Sequence, residues 1–178
     1  MKVDLTLGEF LKETIDTLYE EGLLLASIGL DGKPNVMAVG WAFIGYLWNK
    51  PYFIVAVRPS RYTHKLIQEE TGEFTVNVPT PDMKDIVDYC GTVSGRTHDK
   101  FRAKKLTAVK GKFVKTPIID ECVLHYECRV DYESRLEPER VPTEVRRINY
   151  PSGDYHTLFF GEILAYYGDR EAAKRLKP

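Results

Sequence analysis

Residues 23–43 read LLLASIGLDGKPNVMAVGWAF. Two apolar segments flank Asp31-Gly32. This pair between apolar runs is a strong hairpin signal, because a type I′ turn needs positive φ at both central positions. The chain therefore doubles back antiparallel here. Further β-type runs follow at PYFIVAV (51–57), EFTVNV (73–78), LTAVKGKFV (106–114), CVLHYECRVDY (122–132) and HTLFFGEILAYY (156–167). In EFTVNV, the residues Phe74, Val76 and Val78 alternate on one face. About seven strands with short helices between them, and no regular βαβ alternation, exclude a doubly wound sheet. A mainly β chain forming an antiparallel barrel with peripheral helices is expected.

The helices are marked by their ends. Thr6-Leu7-Gly8-Glu9 reads as a capping box, followed by Leu7, Phe10, Leu11 and Leu18 at helical spacing and Gly22 as a left-handed stop. Ser60 is expected to cap a helix that Gly72 ends. Thr80-Pro81-Asp82 opens another, closed by Gly91, with proline at the first helical position. ESRLEPERVPTEVRRINYPSGD (133–154) is polar and holds three prolines. It is expected to be a long exposed loop inserted in the domain. DREAAKRL closes the chain as a short helix.

The 178 residues suit one domain spanning 1–178, with a core of useful size. A net charge of −1 leaves no overall basic field for nucleic acid or an acidic membrane. No apolar run is long enough to cross a bilayer, and MKVDLTLGEF lacks the apolar core of a signal peptide, so the expected location is cytoplasmic. Cys90, Cys122 and Cys128 are too few for a disulfide scaffold. No C-x-x-C or H-E-x-x-H occurs, so no metal site is expected. Cys122 and Cys128, six apart, would share one face of a strand as small buried side chains.

Two basic islands stand out against this neutral background. One is Arg58-Pro-Ser-Arg61-Tyr-Thr63-His64-Lys65, at a strand-to-helix junction. The other is Ser94-Gly-Arg96-Thr-His98-Asp-Lys100-Phe-Arg102. Guanidinium, hydroxyl and ammonium groups beside a helix start are suited to a single phosphate; the same residues could equally make two solvated turns. Trp41, Phe43, Tyr46 and Trp48 could wall a planar ligand or simply pack. No G-x-G-x-x-G or Walker loop occurs, and Ser94 is one step out of a G-x-S-x-G elbow.

Four blocks in order, NVMAVGW (35–41), RPSRYTHKLI…GEFTVNVP (58–79), CGTVSGRTHDKF (90–101) and GDYHTLFFGEI (153–163), make the chain resemble the flavin reductase-like family, which includes the flavoredoxins. The resemblance spans roughly residues 20–165. It implies an FMN-binding split barrel, a homodimer, and reduction of flavin by NADH or NADPH. The alternatives are an electron carrier that holds FMN tightly and serves a redox-protein partner, or a binding module without redox use. FAD is the less expected flavin.

By the same resemblance, Asn35, Val36, Met37, Ala38, Val39, Gly40 and Trp41 line the isoalloxazine. Arg58, Arg61 and Thr63 reach the phosphate or its approach. Asn77 and Val78 lie beside the flavin, and Ser94, Arg96 and Lys100 complete the phosphate or ribityl site. His156 falls near the flavin edge and nicotinamide, while no side-chain acid or base is expected to be essential. Two departures stand out. Ala38 replaces a frequent hydroxyl, so a backbone N–H would have to supply that hydrogen bond. Tyr155 is inserted before His156, which reverses facing unless a bulge absorbs it.

Overall fold

The structure, a computed structural model, describes residues 2–177. Strand β1 (Lys2–Asp4) leads to helix α1 (Leu11–Glu20), then β2 (Leu23–Ile28), β3 (Pro34–Val39), β4 (Ala42–Leu47) and β5 (Lys50–Val57). Helix α2 (Tyr62–Lys65) continues as a wider turn through Thr71, and β6 (Glu73–Val78) follows. Next come α3 (Lys84–Thr92), α4 (Lys100–Lys104), β7 (Ala108–Val109), β8 (Ile118–Ile119) and β9 (Leu124–Arg135). The chain ends with α5 (Thr143–Asn149), β10 (Thr157–Asp169) and α6 (Ala172–Arg175).

One antiparallel sheet runs β3-β2-β6-β9-β10-β5-β4, with β1 added to β10. The strands at its two ends, β3 and β4, are consecutive in the chain, with only Gly40 and Trp41 between them. The three Cα–Cα steps from Val39 to Ala42 span no more than about 11 Å. The sheet must therefore curl until its ends nearly meet, and the ends stay unpaired: this is the split of a split barrel.

Burial on both faces explains the apolar runs. Leu23, Leu25, Phe74, Val76, Phe53, Val55, Tyr126 and Phe159 fill the inner core. Leu24 and Val36, pointing the other way, pack with Val87, Cys90, Phe101 and Ile119 under α3 and α4. β6 lies between β2 and β9, and all six of its residues are buried, so its alternation carries no solvent face. Gly161 lies at a register shift between β9 and β10. A Cβ there would come within 2.4 Å of the Phe74 ring, so only glycine lets Phe74 pack.

Several local expectations change. In the β2–β3 hairpin only Gly32 has positive φ, and Gly29 N–H bonds the Lys33 carbonyl. The turn is thus a three-residue loop with glycine in the left-handed position, not type I′. Glu9 does reach the Thr6 N–H at 2.7 Å, but α1 starts only at Leu11, and Gly22 ends it at φ 85°. Arg61, not Ser60, occupies the cap of α2, because Ser60 is held by Asp154. Gly91 lies within α3, whose last residue is Thr92.

LTAVKGKFV contributes only β7. The buried Glu127 carboxylate accepts the backbone N–H groups of Lys112, Phe113 and Val114, which replaces strand pairing there. Cys122 and Cys128 are buried free thiols as expected, but Cys122 precedes β9 and packs in the outer cluster while Cys128 packs in the inner one. The 133–154 stretch is not all loop: β9 runs to Arg135, and Pro138 and Pro142 stand at the starts of a 3-10 turn and of α5. No helix among the described residues is long and apolar enough to cross a membrane.

Candidate functional site

Two adjoining clefts open at the seam between the sheet's ends. The first, about 180 Å³, is lined by Met37, Ala38, Val39, Gly40, Trp41, Ala56, Arg58, Arg61 and His156. The second, about 150 Å³, is lined by Asn35, Met37, Ser60, Arg61, Tyr62, Thr63, Thr92, Val93, Ser94, Gly95 and Lys100. Met37 and Arg61 belong to both, so the clefts share a wall and together make up the seam groove. Its first part is the edge of β3, whose outward backbone groups have no strand partner, together with the indole of Trp41. Its second part is polar and cationic, as the two basic islands suggested.

The tertiary structure sorts the cations. Arg58 is already engaged: its guanidinium donates to the carbonyls of Asn149 (2.7 Å) and Asp154 (3.2 Å) and lies over the Tyr150 ring. Arg96 donates to the Ser60 carbonyl at 2.7 Å and sits over Tyr62, stapling the two islands together from outside the groove. Lys100 is 5% exposed, and its ammonium donates to the carbonyls of Cys90 and Val93 at 3.1 Å each. It thus closes the C-terminal end of α3. Burial, offset by Cys90 and reinforced by Arg61, pulls its pKa down to about 8. Arg61 has no side-chain hydrogen bond or ion pair among the described residues and faces both clefts.

Hydroxyl and backbone groups line the second cleft beside Arg61. Thr63 accepts a 2.8 Å bond from the Asn35 amide, which also donates to Ser27. Ser94 accepts the Arg96 N–H at 3.3 Å. Gly95 is a residue that sequence reasoning missed. A Cβ there would sit 1.9 Å from the Asn35 side-chain oxygen, so the chain can pass this close only as glycine, leaving bare backbone at the cleft wall. Its position within a Ser-Gly turn was the available signal.

His156 forms the far wall of the first cleft. Its ring centroid lies 4.8 Å from that of Trp41, and Nδ1 is 2.8 Å from the Tyr150 hydroxyl. Burial, then the neighbouring Arg58, lowers its pKa to about 4, so the ring is neutral near pH 7. The extra Tyr155 is absorbed before β10 begins: Gly153 and Asp154 both take positive φ, and Tyr155 stacks on Tyr150.

Three sequence-predicted residues lie away from the groove besides Arg96. Val36 is fully buried beneath α3. Val78 is fully buried in the inner core. Asn77 is also fully enclosed: its amide donates to the Leu24 carbonyl and the Thr75 hydroxyl, and its oxygen accepts from Ile119 N–H and His125. The reason is the central place of β6, which is paired on both sides and buried along its length, so its side chains line neither cleft. Trp48 lies at the β4–β5 turn against Tyr52 and Tyr132, and Phe43 and Tyr46 are exposed, so Trp41 alone of these aromatics lines the groove.

An open seam with the Trp41 wall at one end and Arg61 and Lys100 at the other is the candidate site of this split-barrel fold. The flavin reductase like domain model matches residues 19–176, and the chain belongs to that family. The solved flavoredoxin of Methanosarcina acetivorans is 34% identical, covers 89% of this chain and 74% of its own, and superposes with a TM-score of 0.66. The flavoredoxin of Desulfovibrio vulgaris (Miyazaki F) is 29% identical over 84% of this chain and 70% of its own, with a TM-score of 0.68. An uncharacterised protein of Archaeoglobus fulgidus is 39% identical over 84% of this chain and 73% of its own length.

Proposed function

We propose that this protein binds FMN in the seam groove and accepts hydride from NADH or NADPH. The observation that carries this reading is the adjacency of the two clefts, which share Met37 and Arg61. A flat wall of β3 backbone and Trp41 runs directly into a cationic end, matching a ligand that is planar at one end and phosphorylated at the other. Together the clefts reach the lower end of small-molecule sites, about 300 Å³. Arg61, Thr63, Ser94, Gly95 and Lys100 would hold the phosphate and ribityl chain. Asn35 acts by orienting Thr63, and Arg96 by fastening the turn. Met37 to Trp41 would lie along the ring, with the β3 edge offering N–H and C=O groups in place of the hydroxyl that Ala38 lacks.

When bound, the flavin supplies the hydride and electron chemistry. The protein's part is to orient the ring, exclude water with Trp41 and His156, and balance the phosphate charge. Similarity to two flavoredoxins supports a second reading, in which FMN stays bound and passes electrons to a redox protein. Anaerobic addition of NADH and NADPH to the FMN-loaded protein separates the two: rapid bleaching of the flavin absorbance supports the reductase, and slow bleaching the carrier. No FMN binding by the folded protein would overturn both.

A second copy of this chain is the partner the family resemblance implies. Across the outer sheet face, Phe43, Ile54, Phe160 and Tyr132 stand opposite one another on β4, β5, β10 and β9. Phe43 and Tyr132 are 61% and 49% exposed, an apolar row that supports a covering protomer. Sedimentation of the parent as a dimer and of Phe43→Glu as a monomer is the expected result.

A further inference from the structure

The segment between β9 and β10 reads from sequence as a polar insertion. Its C-terminal half is fastened to the groove at several points. Arg58, a groove residue, donates to carbonyls at both Asn149 and Asp154. The Asp154 carboxylate accepts from the Ser60 N–H at 3.1 Å and hydroxyl at 2.6 Å. Leu136 N–H donates to the His156 carbonyl, tying the segment's start to its end. The element so fixed carries Tyr150, 94% buried, under the Arg58 guanidinium and stacked on Tyr155 at 4.5 Å.

The Tyr150 hydroxyl has one partner among the described residues, Nδ1 of His156 at 2.8 Å. That settles the direction of the bond. If Nδ1 carried a proton and donated, the phenolic O–H would be buried with nothing to accept it, which costs about 1–3 kcal/mol. If the phenol donates, every buried atom of the pair is satisfied and the imidazole proton sits on Nε2. No protein group partners Nε2 among the described residues, and His156 lines the first cleft. We infer that Tyr150 is a positioning residue: it locks His156 as the Nε2–H tautomer, so that the groove wall presents a fixed N–H donor to a ligand oxygen of carbonyl or similar type. The inserted segment is therefore part of the site.

The inference rests on the seam groove being the ligand site but not on FMN being the ligand. The test uses the full chain without added ligand, labelled with ¹⁵N at histidine. The His156 signals are assigned by their loss in His156→Asn. The parent should show a single tautomer, with Nδ1 as the unprotonated, hydrogen-bonded nitrogen and Nε2 protonated, unchanged between pH 6 and 8. Tyr150→Phe keeps the stacked ring and removes only the hydroxyl. Its His156 nitrogens should shift toward tautomer averaging, and its pKa should rise. A parent protonated at Nδ1, or a folded Tyr150→Phe protein with the same His156 shifts, would overturn the inference. If Tyr150→Phe does not fold, the parent tautomer alone decides. FMN titration of the same sample is read separately: absent FMN binding with the Nε2–H tautomer present defeats the flavin reading and leaves this one standing.

Discussion

Arg61 is the groove cation with no side-chain partner among the described residues. Arg58 and Arg96 are each anchored on backbone carbonyls, and Lys100 closes α3. Replacing Arg61 with alanine should thus remove a contact to phosphate and little else. Hydrogen bonds to charged groups are worth about 1.5–3 kcal/mol each. Arg61 is half-buried, so one retained bond corresponds to a loss of roughly tenfold to a hundredfold in FMN affinity, at about 1.4 kcal/mol per tenfold. Riboflavin has the same ring and ribityl chain without the phosphate, and its affinity should stay within about twofold, the scatter normal for a surface change. Calorimetric or fluorescence titration of both ligands gives the comparison, and added salt should weaken FMN more than riboflavin. Lys100→Ala is expected to behave differently. It strands two carbonyls at the end of α3, each costing about 1–3 kcal/mol when buried, so thermal stability falls and both ligands weaken together. If Arg61→Ala weakens FMN and riboflavin equally, Arg61 shapes the groove and does not hold the phosphate.

FMN should quench tryptophan emission through Trp41 alone, since Trp48 lies at the β4–β5 turn; Trp41→Phe should abolish the quenching and Trp48→Phe preserve it. His64, His125 and His156 are all buried with lowered pKa, through desolvation first in each case. The unfolded chain then binds protons that the folded chain does not, so stability is full above about pH 6.5 and falls as pH drops toward 4, by up to about 1.4 kcal/mol per pH unit per histidine. Urea midpoints measured from pH 7 to 4.5 should show this, with a shallower slope in His156→Asn. Glu127→Ala removes the acceptor for three backbone N–H groups and the Tyr167 hydroxyl; a loss of several kcal/mol, at roughly 1–3 per stranded donor, is expected in denaturant unfolding, and a change below about 1 kcal/mol would contradict that accounting.

Local chemistry was readable from residues alone wherever it depends on neighbours in the chain. The antiparallel class, the strands at 51–57, 73–78, 124–132 and 157–167, and the left-handed stops at Gly22 and Gly72 all follow from patterns a few residues long. The two basic islands were legible for the same reason. That they meet at one groove was not, because Arg61 and Lys100 are brought together only when α4 packs beneath the edge of β3. Which strand is central was equally hidden. Asn77 and Trp41 both look like ligand contacts in sequence, yet β6 is paired on both sides and covered on both faces, while Trp41 stands at the open seam.

The sequence by itself determined the long strands, the family and the stock of cations, since turn chemistry, periodicity and motif order are local or linear properties. Tertiary structure alone decided which of the groove's cations are anchored to backbone carbonyls. Arg58, Arg96 and Lys100 find carbonyl acceptors on segments 91, 36 and 7 to 10 residues away, and an acceptor's position in space is set by how the sheet curls, not by its neighbours in the chain. The polar insertion, likewise, is fastened to the groove because the fold brings Arg58 over Tyr150 and within reach of the Asn149 and Asp154 carbonyls.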